Sequence, residues 1–147
     1  MIAYQKRFVK MYQQLQMNNI MTQEDKDLLL QDLCARLPYG VILNCCNIVS
    51  ETLTLIDYKG LVNNDYDIDE VKPYLFPLSK MSDQQKEEYY YIVNYLSEDD
   101  TENYAEGEFI YTAQLTQLLC FYHRNNIDYR GLIPMGLAID ATGLDIY

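Results

Sequence analysis

The stretch from Asn126 to Asp140 constrains the fold most, because it is rich in apolar residues that have no regular spacing. These residues follow neither the helical period of 3.6 nor the strand period of two, and Gly131, Pro134 and Gly136 interrupt them. A segment this apolar must pack, yet it predicts no long helix or strand. We therefore expect particular contacts to set its shape, as in many functional segments.

The length and apolar content predict one folded domain with a short extension. The chain has 147 residues, and 49% of them are hydrophobic, which excludes wholesale disorder. We predict an N-terminal helical extension over residues 1–21 and an α+β domain over residues 22–147. The extension is predicted as an amphipathic helix, with Lys6, Arg7 and Lys10 on its polar face and an apolar stripe of Tyr4, Phe8, Met11, Tyr12 and Leu15.

Local patterns predict about four helices packed on a small antiparallel β-meander, with an SH3-like barrel as one candidate closure. Beyond the extension, helices are predicted over about residues 22–37, 82–96 and 109–124. Thr22 with Asp25 and Ser82 with Gln85 resemble capping boxes at two of the helix starts. Strands are predicted at 41–49 and 52–58, with a shorter strand at 61–63.

The acid-rich stretch from Asp65 to Glu70 invites a calcium interpretation, but the spacing excludes it. An EF-hand loop would need glycine in place of Glu70 and glutamate in place of Phe76. The stretch instead predicts an edge strand with Tyr66 and Ile68 buried.

Charge and composition exclude several classes of partner. The formal net charge of −11 disfavours binding to duplex nucleic acid, which needs a basic face. No apolar run is long enough to cross a membrane, and the N-terminus makes a poor signal peptide, so we expect a cytoplasmic protein. Four cysteines without paired spacing, together with one histidine, predict reduced thiols and no metal site.

The acidic residues are concentrated in one segment that is predicted to be a loop. This segment is either a solvated linker or a surface that docks a basic partner. Its members are Glu98, Asp99, Asp100, Glu102, Glu106 and Glu108.

Nothing in the sequence indicates catalysis or a cofactor. His123 is the one imidazole, and its predicted location at a helix C-terminus favours a capping or surface role. Phosphate-loop, dinucleotide and nucleophile-elbow motifs are absent from the sequence. We therefore expect a protein that is not an enzyme and that needs no cofactor.

Ligand binding is the stronger interpretation, because the chain has 15 tyrosines and no tryptophan. Three tyrosines lie in irregular segments, each close in sequence to a cation, and Gly131 next to Arg130 favours access to backbone N–H groups. Alternatively, Arg130 pairs internally with Asp128 or Asp140. Asp32 can pair with Arg36 one helical turn later. The candidate ligand-binding residues are Tyr129, Arg130, Gly131, Lys72, Tyr74, Arg36 and Tyr39.

Three blocks of sequence resemble a family of small uncharacterised proteins from Bacteroides-type gut bacteria, their prophages and their phages. The blocks are Leu33–Val41, Val71–Met81 and Asp128–Ile133 with Gly136–Ala138. The family has no settled activity. The resemblance therefore implies a setting, namely a phage or mobile-element accessory protein in the bacterial cytoplasm, and not a reaction.

Two hypotheses follow from these observations. In the first, the protein is a non-enzymatic binder that antagonises a host defence. It would sequester an anionic signalling nucleotide in clefts between the protomers of a homo-oligomer, or occlude a host protein. In the second, it is a structural or assembly accessory protein without a ligand.

Overall fold

Side-chain capping fixes the starts of three helices in the computed structural model, which describes residues 21–45, 48–95 and 104–147. Each cap hydroxyl accepts a hydrogen bond from the backbone N–H of the third helical residue, whose side chain accepts one from the backbone N–H of the cap residue. The capped helices are α1 (Gln23–Arg36) after Thr22, α2 (Leu55–Val62) after Thr54 and α3 (Asp83–Tyr90) after Ser82.

Two further segments complete the helical part of the fold. α3 continues as a π-helical turn, Tyr91–Tyr95, and the longest helix is α4, Tyr104–Arg124. Three single 3₁₀ turns connect the elements, at Leu37–Tyr39, Ile68–Glu70 and Leu78–Lys80.

The strands form one mixed sheet around a central strand. The strands are β1 (Ile42–Cys45), β2 (Ile48–Thr52), β3 (Val71–Pro77), β4 (Ile127–Asp128) and β5 (Ile139–Asp140). The order is β2-β1-β3-β4, and β5 also pairs with β3. β1 is antiparallel to β2 and to β3, whereas β4 and β5 run parallel to β3.

The predicted α+β class is confirmed, but part of the predicted meander is wrong. Residues 55–62, which were expected to contribute to two strands, form helix α2. The reason is local: Thr54 and Asp57 make a capping box that outweighs the β-branched composition of this stretch. The SH3-like closure stays a prediction.

The stretch from Asp65 to Glu70 also differs from the expectation. A 3₁₀ turn, Ile68–Glu70, replaces the predicted edge strand. Ile68 is buried as predicted, but Tyr66 is 52% exposed.

Two sequence predictions concern regions that the structure describes only in part. The predicted helix over residues 3–17 lies outside the described residues, and the division at residue 21 stays a prediction. Residues 98–103 of the acidic segment also lie outside them. The prediction of a loop is wrong for residues 104–108, which form the start of α4.

The main apolar core lies between α1 and the sheet. Leu29 and Leu33 of α1 pack with strand residues such as Leu43 and Leu75, and Leu132 and Leu137 join them from the C-terminal segment. A second cluster joins the helices to β4 and contains Ile92, Phe121 and Ile127.

The C-terminal segment has the irregular, packed conformation that its sequence predicts. It forms only the short strands β4 and β5, with a tight turn between them. Gly131 in this turn has a φ of 78°, a left-handed conformation that favours glycine. The buried Asp128 carboxylate accepts hydrogen bonds from the N–H groups of Leu132 and Ile133, both at 2.8 Å.

The last residue of the chain fastens this segment to the sheet. The Tyr147 hydroxyl donates a hydrogen bond to the carbonyl oxygen of Tyr74 at 2.6 Å and accepts one from the N–H of Ile42 at 3.0 Å. Burial raises the pKa of this hydroxyl to about 12. Within the described residues, no helix has both the length and the apolar character needed to cross a membrane.

Candidate functional site

A charged side chain lies fully inside the protein where α1 meets the end of α4. Arg36 has an exposed fraction of 0%, and its guanidinium pairs with Asp32 through two contacts, Nε–Oδ2 at 2.8 Å and Nη2–Oδ1 at 3.2 Å. It also donates hydrogen bonds to the carbonyl oxygens of Ile127 at 2.8 Å and Tyr122 at 3.4 Å. The predicted pairing of Asp32 with Arg36 is confirmed, and it ties α1 to α4 and β4.

A second arginine shares the same carboxylate. Arg130 Nε lies 3.1 Å from Asp32 Oδ1, and 22% of the Arg130 side chain is exposed while that of Asp32 is fully buried. Two guanidinium groups therefore face one carboxylate, which leaves a local excess of one positive charge. Among the residues that the structure describes, Asp32 is the sole carboxylate paired with Arg130.

The alternative internal partners predicted for Arg130 are occupied elsewhere. Asp128 accepts hydrogen bonds from the backbone of the following turn. Asp140 accepts a hydrogen bond from the backbone N–H of Thr142 at 2.9 Å, and hydrogen bonding to Thr142 lowers the pKa of this carboxyl. The predicted internal pairing of Arg130 is therefore confirmed, but the predicted partners, Asp128 and Asp140, are wrong, because the partner is Asp32.

Tyr129 is the aromatic centre of the site. Its ring stacks on the ring of Tyr122, with centroids 4.9 Å apart and planes at 13°. The guanidinium carbon of Arg130 lies 5.0 Å from the Tyr129 centroid and that of Arg36 lies 5.8 Å from it. Such cation–π contacts hold a guanidinium against an aromatic ring without neutralising its charge.

The single histidine belongs to this cluster. His123 lies in the last turn of α4, as predicted, and its Nε2 is hydrogen-bonded to the Tyr129 hydroxyl at 2.9 Å. His123 is buried, so a surface role, one of the two predicted for it, is wrong. Burial lowers the pKa of His123 below its usual 6.5, and the charge of Arg36 lowers it further. Arg130 acts in the same direction as Arg36, while Asp32 opposes them. The imidazole is therefore mainly neutral at pH 7.

Tyr39 lies at the outer edge of the cluster. Its ring centroid is 6.2 Å from that of His123, and 39% of the residue is exposed. A hydrogen bond with Cys120 raises the pKa of the Tyr39 hydroxyl. Tyr39 thus offers an accessible aromatic ring beside the histidine.

The structure brings together some of the residues predicted to bind a ligand and separates others. Arg36, Tyr129 and Arg130 form one cluster, with Tyr39 at its edge and Gly131 following Arg130. No contact among the described residues joins Lys72 or Tyr74 to this cluster. The hydroxyl of Tyr74 instead accepts a hydrogen bond from Asn44 Nδ2 at 2.8 Å, in the β1–β3 part of the sheet.

Sequence reasoning missed two members of the cluster and the sharing of a third. Tyr122 was not among the predicted site residues, and His123 was predicted only to lie at the helix end. Asp32 was expected to pair with Arg36 alone. Tyr122 and His123 contact Tyr129 across the end of α4, whereas the contacts that the two arginines make span 86 to 98 residues along the chain, so no local pattern indicates these long-range contacts.

A separate cavity of about 450 Å³ is lined by residues of β1, β2, α2 and β3 and of the segment between α2 and β3. Leu43, Leu61 and Val71 contribute apolar surface to it, and Tyr66 and Cys45 also line it. Among the described residues, the lining also contains five carboxylates and no Lys or Arg: Glu51, Asp57, Asp65, Asp67 and Glu70.

These carboxylates form a diffuse negative surface. The described residues contain no group of three or more His, Cys, Asp or Glu side chains suited to holding a metal ion. Burial raises the pKa of the Cys45 thiol, and the charges of Asp57 and Glu51 raise it further, which indicates that all three share one environment. The ring of Tyr66 lies over Gly60, where any side chain would collide with it.

No protein-family model matches the chain, and neither a curated protein nor a solved structure matches it.

Proposed function

We propose that the protein is a non-enzymatic binder of a small anionic ligand, with Arg130 as the residue that receives the anion. The observation that carries this proposal is the shared carboxylate: Asp32 faces both Arg36 and Arg130, so one positive charge has no carboxylate of its own within the described residues. A guanidinium that shares its carboxylate with a second guanidinium is suited to binding a phosphate or carboxylate ligand through two parallel hydrogen bonds.

The two arginines have different roles in this proposal. Arg36 is enclosed and directs its hydrogen bonds to Asp32 and to backbone carbonyl groups, so it serves to fix the site. Arg130 uses Nε for Asp32 and remains partly exposed. Its side chain is also hydrogen-bonded to the Tyr129 hydroxyl, and the two terminal nitrogens, which Asp32 does not contact, are the groups we assign to the ligand.

An anion that also carries a planar ring fits these surroundings best. Tyr39 is exposed next to the neutral His123, and a base could stack on its ring while a phosphate contacts Arg130. A signalling nucleotide has both features. The proposed setting is a phage or mobile element, in which the protein acts in the bacterial cytoplasm and sequesters a nucleotide on which host defence depends.

The test is calorimetric titration of the full-length protein with a panel of mononucleotides and cyclic dinucleotides, with inorganic phosphate as the simplest probe. We expect at least one nucleotide to bind, and Arg130→Gln to weaken it by about 10- to 100-fold, since a hydrogen bond to a charged group contributes about 1.5–3 kcal/mol. Native mass spectrometry of the purified protein reports copy number and any retained small molecule.

The matched control is Arg124→Gln, which removes the same charge from an exposed arginine that pairs with Glu88. It should leave the affinity within about twofold at physiological salt. If no probe binds the wild type below millimolar concentration, or if both variants weaken binding equally, the proposed function is wrong.

A structural or assembly role is the second candidate, and the buried Arg36–Asp32 pair favours it. This pair connects α1 to the C-terminal segment and needs no ligand to explain it. A ligand-free protein in which Arg130→Gln lowers only thermal stability would support this candidate.

The binding hypothesis also includes occlusion of a host protein. A pull-down with the Arg130→Gln and Arg124→Gln variants would test it.

A further inference from the structure

We propose that the cavity lined by Leu43, Leu61 and Val71 is the docking site for the basic N-terminal segment of the same chain, residues 1–20. This inference concerns a surface remote from Arg130 and does not depend on the proposed function. Three independent observations support it: the charge of the cavity, its apolar lining and the location at which the described chain begins.

The charge of the cavity and that of the segment are opposite. Of the five lining carboxylates, Glu51, Asp57, Asp65 and Asp67 form no ion pair with any described residue. Asp57 and Asp67 accept hydrogen bonds from backbone N–H groups, which are neutral and leave the negative charge in place. Residues 1–23 contain three Lys or Arg and no Asp or Glu, although the whole chain has 22 acids and 11 bases.

The cavity also has an apolar lining, to which Leu43, Leu61 and Val71 contribute. Tyr66 follows α2, lines the cavity and is half exposed. The stripe that begins with Tyr4 and Phe8 predicts an apolar helical face of the kind that could cover this surface.

The described chain begins close to the cavity. Lys26 Nζ lies 3.0 Å from Asp69 Oδ2, and the neighbours Asp67 and Glu70 line the cavity. Met21 packs against the main core and lies two residues before Gln23, the first residue of α1, which is about 4.5 Å along the helix axis from Lys26 at 1.5 Å per residue. A 20-residue segment spans about 30 Å as a helix. The segment can therefore reach the cavity of its own chain without exchange between copies.

These observations favour a peptide segment over a metal or a small cation. The carboxylates are spread over β2, α2 and the loop before β3, and are not grouped as metal ligands within the described residues. Spread carboxylates around apolar side chains suit several Lys or Arg side chains on one amphipathic helix.

The experiment is zero-length carbodiimide cross-linking of the full-length protein, followed by peptide mass spectrometry. We expect cross-links from Lys6 or Lys10 to the peptides that contain Glu51, Asp65 or Asp67, and we expect about 0.5 M sodium chloride to reduce them several-fold. Lys80 and Lys86 are the internal controls, because the proposal predicts no links from them to these carboxylates.

A pair of variants that keep both lysines tests the apolar part of the contact. Phe8→Ser removes a residue of the predicted stripe and should reduce the cross-links several-fold, whereas Val9→Ser changes a residue outside that stripe, about 100° from Phe8 around the predicted helix, and should leave them unchanged. The reaction is repeated on an equimolar mixture of unlabelled and ¹⁵N-labelled protein, in which a contact within one chain gives only products of uniform isotope content.

Each outcome of the cross-linking experiment either supports or overturns the proposal. Uniform products that Phe8→Ser diminishes support the proposal. Mixed-isotope products would overturn it in favour of a second copy as the occupant. Absence of links to these carboxylates, or an equal yield from the two serine variants, would overturn the docking itself.

Discussion

The arginine cluster and the acidic cavity differ in the burial and the pairing of their charged side chains. At the cluster, Arg36 and Asp32 are fully buried, paired and held by additional hydrogen bonds to the backbone. At the cavity, at least four carboxylates have no cationic partner among the described residues and remain at a surface. The first arrangement fixes the fold and leaves one excess charge at its edge. In the second, Asp57 and Asp67 cap helical turns, but no described cation neutralises the charges of these four carboxylates.

The largest expected effect comes from removing the shared carboxylate. Asp32→Asn should lower the free energy of unfolding by about 3–5 kcal/mol, because it leaves the buried Arg36 without its counter-charge. Denaturant unfolding measures this change. Asp27→Asn on the same helix removes an exposed carboxylate and should stay within about 0.5 kcal/mol of the wild type. Equal effects of the two substitutions would contradict a structural role for the cluster.

The smallest expected stability change is at the cavity. The double variant Glu51→Gln with Asp65→Asn should change the free energy of unfolding by no more than about 0.5 kcal/mol at moderate salt, since neither side chain pairs with a described cation. Any gain should shrink as salt rises, because it reflects relief of like-charge repulsion. A loss near 2 kcal/mol would mean that these carboxylates stabilise the fold, and the contrast between the two regions would fail.

Capping chemistry made several elements predictable from the sequence. The boxes at Thr22 and Ser82 lie within four residues of chain, and α1 and α3 begin where they indicate. The same signal exists at Thr54 and Asp57, and it could have identified α2 where composition alone favoured a strand. Local chemistry therefore predicted helix starts well where it was applied.

The candidate site was predictable only in its local pairs. The spacing of Asp32 and Arg36 indicates one turn of a helix, but their burial depends on carbonyl groups about 90 residues away. Proximity of a cation to a tyrosine in sequence grouped Lys72 and Tyr74 with Arg130. In the fold, these two residues lie on the strand β3 and contribute to the sheet instead.

The pKa of His123 responds to burial first and then to the charges of the cluster. Its pKa is lowered from 6.5 by burial first and then by Arg36 and Arg130. The unfolded chain therefore binds a proton more readily, and the stability due to this group is complete above pH 6.5. That stability is lost as the pH falls from 6.5 through the folded-state pKa. Because the chain has one histidine, a single imidazole resonance follows this process.

The most direct measurement is an NMR titration of that resonance in the wild type and in Arg130→Gln, with and without a nucleotide from the binding panel. We expect a midpoint below pH 6.5 in the wild type. The midpoint should rise when the nucleotide binds and also when Arg130 is replaced. In the Arg130→Gln variant, the nucleotide should no longer change the midpoint. A wild-type midpoint at or above 6.5, or one that neither change moves, would contradict an uncompensated positive charge beside Tyr129.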